Sequence, residues 1–227
     1  MTFRGFDPKS LRLLETLPAL GAAEYESLKL DLAAGIVGPA GAFIEEVAAS
    51  LGEPLTVARR SSVSPLHADL RFAKPGAPRY KDHLLLTAWQ GPDKKASPIL
   101  WIRLDSTSVG FASGAALLGD QREQFRNAVA GARGKALDAA LTGLRRKHAR
   151  HALEVAGEQL KNVPRPWPAD HERADLLRLT SFQVRFQEAV PRIIAQPGFV
   201  AWCAERLQEL MPVHRWLVRE LLGGDAR

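Results

Sequence analysis

Between His83 and Ala112 the chain carries three strand-like runs with too little between them to form helices. His83 to Trp89 is almost continuously apolar, as in a central strand covered on both faces. Ile99 to Leu104 is a second run, and Val109-Gly-Phe-Ala112 is a third, reached through the turn-forming residues Asp105-Ser-Thr-Ser108. Strands this close cannot be joined by helical crossovers, so the segment predicts an antiparallel meander. Leu55-Thr-Val-Ala58 reads as a further strand in front of it.

Helical patterns flank this region. Ser10 is placed to cap a short helix carrying Leu11, Leu13, Leu14 and Leu17. A second helix begins near Ala22, is interrupted by Gly35, Gly38 and Pro39, and gives way to a third through Phe43, Ile44, Val47 and Leu51. Beyond the meander, Asp120 is the expected cap of a helix through Phe125 and Val129. Another is expected from about Lys135 to Val155, with Leu137, Leu141, Leu144 and Leu153 on its apolar face. Lys161 to Pro168 is too proline-rich for a helix. Phe182, Val184 and Phe186 then alternate with Gln183, Arg185 and Gln187, the pattern of a half-buried strand returning to the sheet. Two final helices are expected around Pro197–Met211 and Pro212–Leu222. The prediction is one α+β domain over 1–227: N-terminal helices at 8–52, sheet at 54–113, and a helical part at 119–223 with a returning strand near 180–187.

The chain has 227 residues, 46% hydrophobic and 25% charged, enough to build a full apolar core. The uncharged run Ala33 to Ile44 is short of the roughly twenty residues of a spanning helix and is broken by glycine and proline. The amino terminus has no apolar leader, so a soluble, cytoplasmic protein without a membrane partner is expected. The lone Cys203 can form no internal disulfide or thiolate zinc site and reads as a packed core thiol. The formal charge of +6 favours anionic partners.

The densest charge cluster is His67 to His83, where Asp69, Arg71, Lys74, Arg79, Lys81 and Asp82 surround a Pro/Gly turn just before the most apolar strand. A guanidinium and an ammonium there suit a small anion, the first as a planar fork and the second as a point charge. Arg71 and Lys81 are the expected contacts, Asp69 their orienter, Phe72 and Tyr80 the pocket wall, with Lys74 nearby. A solvated loop is the competing reading.

The same segment resembles the bacterial and fungal proteins grouped as domain of unknown function 2461. Their motif runs Arg-Asp-x-Arg-Phe, a spacer with Lys, then Pro-Tyr-Lys. Asp69, Arg71, Phe72, Lys74, Pro78, Tyr80 and Lys81 match it, while Ala68 replaces the first Arg and Arg79 is inserted. The family's glycine-rich run after the hairpin is echoed by Gly110-Phe-Ala-Ser-Gly114, which puts Gly114 among the ligand candidates. Leu160-Lys161, Pro164, Asp170-His171, Asp175-Leu-Leu177, Pro212 and Trp216-Leu217 continue the likeness. The resemblance implies an α+β fold and no established reaction.

In Asp170-His-Glu-Arg-Ala-Asp175, His171 is a candidate acid/base with Asp175 or Asp170 setting its tautomer; a helix cap at Asp170 explains the same residues. Arg145, Arg146, Lys147 and Arg150 form the best nucleic-acid candidate, and a solvated helix face is again the alternative. His148 and His151 are too few, and too surrounded by cations, for a metal. Walker, Gly-x-Gly-x-x-Gly, Gly-x-Ser-x-Gly and His-Glu-x-x-His motifs are missing, so no cofactor or metal is expected. The leading expectation is a binding module for a small anionic ligand around Arg71 and Lys81. The alternatives are an enzyme using His171 on an anionic substrate, and a nucleic-acid or protein-interaction module using 145–150.

Overall fold

A computed structural model describes residues 2–149 and 153–223. The fold is α+β, an antiparallel sheet with helices from both ends of the chain packed on it.

The first helix, α1 (Pro8–Leu13), is capped by Asp7 and not by Ser10, which lies inside it. The Asp7 carboxylate accepts the Lys9 and Ser10 backbone N–H groups and the Ser10 hydroxyl. An aspartate one residue before Pro8 fits both the cap and the proline-tolerant first turn.

The glycines and proline after α2 (Ala22–Leu32) do not break the helix. A π-turn at Ala33–Val37 carries the chain directly into α3 (Gly38–Ser50). The widened turn opens the hydrogen-bond ladder just where Pro39 has no N–H to contribute. The resulting helical path, Ala22–Ser50, contains a window of mean hydropathy 1.4 that could span a bilayer by length and composition, yet 56% of it is buried in the protein. Phe43 of α3 meets Phe3, Phe6 and Phe199 with ring centroids 4.9–5.2 Å apart.

A short α4 (Arg59–Ser62) precedes the sheet, and the strand expected at 55–58 is reduced to a single bridge between Thr56 and Trp89. The meander follows as predicted: β1 (Leu84–Trp89), β2 (Ile99–Leu104) and β3 (Ser108–Ala115). Asp105 makes the β2–β3 turn, its carboxylate accepting the N–H groups of Thr107 and Ser108 at 2.9 and 2.7 Å.

Helix α5 (Gln121–Ala130) begins after Asp120 as expected, although the Asp120 side chain makes no cap bond. Helix α6 (Gly134–Lys147) stops eight residues before Val155, which instead belongs to β4 (Glu154–Ala156). Val155 lies opposite Val184 of β5 (Phe182–Ala189), so it serves the core from a strand. A short α7 (Ala174–Leu177) lies between β4 and β5. The two helices expected at the end are one, α8 (Phe199–Leu222), with Pro212 inside it. Phe199, Cys203, Leu207, Leu210, His214, Leu217 and Leu221 keep a single buried stripe on both sides of the proline, and that packing holds the helix together. Cys203 is fully buried and burial raises its thiol pKa well above the ordinary range, as suits a packed thiol.

The sheet order is β1-β2-β3-β5-β4, with every neighbouring pair antiparallel. Leu84, Leu86, Leu100, Ile102, Leu104, Val109, Phe111, Phe182, Val184 and Phe186 point to the helix-covered face and join the N- and C-terminal helices in one core.

Candidate ligand groove on the open face of the sheet

Alternation fixes what the other face presents. With Leu100, Ile102 and Leu104 inward, Trp101 and Arg103 of β2 point outward. With Val109, Phe111 and Ser113 inward, β3 shows Gly110, Ala112 and Gly114, and β5 shows Gln183, Arg185 and Gln187. The register places these in rungs. Trp101, Ala112, Arg185 and Glu154 lie opposite one another across four strands, and Arg103, Gly110 and Gln187 form the neighbouring rung.

Small residues in the central strand therefore leave a trough between two long-armed ones. The cavity there measures about 420 Å³, and Trp101, Arg103, Gly110, Glu154, Arg185 and Gln187 are among its lining residues. A methyl group at Gly110 would touch the Trp101 ring at 3.5 Å, so the indole leans over this floor. Gly114 belongs to the next rung for a different reason. A Cβ there would come within 2.5 Å of the Phe182 carbonyl oxygen, so close β3–β5 approach requires the glycine, and it does not line the cavity.

Both arginines are held at their acidic partners. Arg103 bridges Asp105 and Asp82, and Asp82 in turn bonds the His83 ring at 2.6 Å. The His83 bond and the Arg103 charge keep the Asp82 carboxyl below its usual pKa. Burial works against the Asp105 charge, but the Thr107 and Ser108 donors and Arg103 outweigh it and hold that pKa down too. Arg185 engages Glu154 through Nε and NH2 at 2.8 and 2.7 Å, leaving NH1 outside that pair. The Arg103 and Arg185 side chains remain 30% and 41% exposed. They are oriented in advance and still reachable from solvent.

The residues singled out from sequence fall elsewhere. Arg71 is 78% exposed and its guanidinium is taken up by Asp69, through Nε at 3.0 Å and NH2 at 2.6 Å. That pairing lowers the Asp69 pKa to about 2. Lys81 donates to the Pro65 carbonyl at 2.9 Å. Phe72 and Lys74 are exposed, whereas Tyr80 is buried and stacks on Tyr25 with centroids 4.0 Å apart. None of the five cavities described for the protein is lined by Arg71, Lys74 or Lys81; the Arg71 guanidinium turns to Asp69 and the Lys81 ammonium to the Pro65 carbonyl. The segment is a hairpin: His67 bridges Tyr80, and Val63 bridges Leu86 on the free edge of β1.

His171 and Asp175 lie at the opposite edge. Gln159 and Leu179, which bridge each other, continue the β4–β5 pairing, and four strand spacings across the sheet come to roughly 19 Å. No hydrogen bond or ion pair among the described residues joins 67–83 to 170–175, so an acid/base at His171 acting on an anion held by Arg71 and Lys81 has no geometric basis. The His171 Nδ1 accepts the Arg173 N–H at 2.9 Å. Asp175 pairs with Arg178, and Arg173 with Asp138 and Glu172, around a cavity of about 470 Å³ that Arg145 also lines. This is an ion-paired knot fastening α7 to α6.

The described members of the basic run at the end of α6 are all exposed and have different surroundings. Arg145 lines the knot, Arg146 is exposed, Lys147 pairs with Glu209 at 2.8 Å, and Arg150 lies outside the described residues. Among the described residues no group of three or more His, Cys, Asp or Glu side chains is arranged to hold a metal.

The family model for conserved hypothetical proteins of the DUF2461 type matches residues 23–216. The chain belongs to that family. A search of curated proteins found no match. The DUF2461 model spans β1 to β5 and so includes every residue of the groove.

Proposed function

We propose that this DUF2461 protein binds a small anionic ligand in the groove on the open face of its sheet. The observation that carries the reading is the register: Arg103 on β2 and Arg185 on β5 stand on either side of Gly110, which has no side chain to fill the space between. A carboxylate or phosphate suits such a pair, because guanidinium forks bind planar oxyanions bidentately. Trp101 supplies an apolar wall for the organic part of the ligand, and Gln187 a neutral donor and acceptor. Three carboxylates, Asp82, Asp105 and Glu154, outnumber the two arginines, so the ligand must compete for guanidinium N–H groups instead of meeting bare positive charge. Recognition of a defined shape fits this better than nonspecific attraction to polyanions. No residue of the groove is assigned a catalytic role.

A thermal-shift panel of small carboxylates and phosphates tests this. A ligand present at 100 times its Kd adds about 2.7 kcal/mol to stability. For a chain of this size that raises Tm by roughly 5–10 °C. The shift should vanish in Arg185→Ala and Trp101→Ala and persist in Arg71→Ala. Loss in Arg71→Ala with retention in Arg185→Ala would return the site to the hairpin.

A further inference from the structure

The tip of the 67–80 hairpin holds a second surface unconnected with the groove. Two consecutive β-turns build it. The Ala73 N–H reaches the Leu70 carbonyl at 3.2 Å, with Arg71 and Phe72 at the corner, and the Ala77 N–H reaches Lys74 at 3.1 Å around Pro75-Gly76. Gly76 has φ +84°, which the second corner of such a Pro-Gly turn requires. Below the tip, Tyr80 is clamped between Tyr25 and His67, and Ala68 and Lys81 donate backbone bonds across the stem.

This rigid support ends in side chains that do nothing for the fold. Phe72 is 94% exposed and Leu70 43% exposed. Asp69 binds the Arg71 backbone N–H as well as its guanidinium, so the corner that displays Phe72 is fixed. Arg71, Lys74 and Arg79 surround the apolar pair, all exposed, and Asp69 is the one carboxylate between residues 69 and 81.

We propose that this tip is a docking point for an anionic lipid surface, with Phe72 and Leu70 entering the interface and Arg71, Lys74 and Arg79 meeting the headgroups. An apolar wedge inside a collar of cations is what an acidic membrane interface accommodates. The tip is convex, so it can enter a soft surface but cannot cradle a single molecule. Single-stranded nucleic acid fits less well, since strand binders stack successive bases on several aromatics along a groove. Here one aromatic stands beside an aliphatic.

Co-sedimentation with vesicles decides it, using phosphatidylcholine alone and phosphatidylcholine with about one-third phosphatidylserine. The wild-type chain should bind only the anionic vesicles, and more weakly as salt is raised. Phe72→Ala, a fully exposed change, should weaken binding on the order of tenfold. Lys74→Ala and Arg79→Ala should each cost about fivefold. Arg185→Ala should bind vesicles like the wild type, which separates this surface from the groove. Failure to bind anionic vesicles, binding that survives Phe72→Ala unchanged, or Phe72-dependent binding of an oligonucleotide but not of vesicles would overturn the proposal.

Discussion

His214 shows how burial tunes a titratable group in this protein. It lies wholly inside α8, its Nδ1 3.3 Å from the Ser113 hydroxyl and its Nε2 without a partner among the described residues. Burial, with a smaller contribution from the Arg215 charge, pushes its pKa down from 6.5 to about 4. The folded state therefore holds His214 neutral while the unfolded chain takes up a proton below pH 6.5. Its contribution is complete above that pH and is lost progressively as pH falls from 6.5 towards 4, by up to ~3 kcal/mol. Urea unfolding at pH 7, 6 and 5 should show this slope, and His214→Leu should flatten it. An equal slope in both proteins would mean that other groups carry the acid sensitivity. The residues at the groove, by contrast, are ordered by partners: Arg103 by two aspartates and Arg185 by one glutamate.

At the scale of elements, β3 joins the fold to the site. Its inward residues, Val109, Phe111 and Ser113, pack under α8, while its outward residues are small. The two glycines should separate cleanly. Gly110→Leu, whose Cβ meets only ordinary contacts, should fold normally and abolish ligand stabilisation by filling the trough. Gly114→Ala should lose about 1–3 kcal/mol of stability, because the Phe182 carbonyl leaves no room. Denaturant melts of the two variants check both outcomes. The elements also mark how far the sequence was readable. The β1–β2–β3 meander and the inward alternation of β5 were plain from residue pattern. The pairing of β5 with β3 and the identity of β4 were not, since both depend on contacts between strands more than 25 residues apart in the chain. Glycine and proline misled at Gly35–Pro39 and at Pro212, because tertiary packing and a π-turn overrode local preference. Arg185 was visible as an outward position from the alternation of its strand, Arg103 was not singled out, and no local signal put the two on facing sides of Gly110. The Arg71 cluster stands out in the sequence by its density of charge, and density of charge carries no information on whether its cations share a cavity.

For the whole molecule, the sheet order keeps its surfaces apart. The hairpin rides on the β1 edge, the Asp138–Arg173 knot sits beside the β4–β5 edge, and the groove occupies the open face between them. Sites this far apart should respond independently to mutation. A net charge of +6 makes any anion more welcome near the surface, and the groove adds two arginines beside an apolar wall and a glycine floor. The most direct test follows the nuclear magnetic resonance signals of the Trp101 indole N–H and the arginine Nε–H groups during titration with small carboxylates and phosphates. Saturable shifts at Trp101, Arg103 and Arg185, with Arg71 unmoved, are the predicted result. Shifts centred on Arg71, or none at Trp101 for any anion that stabilises the protein, would contradict it.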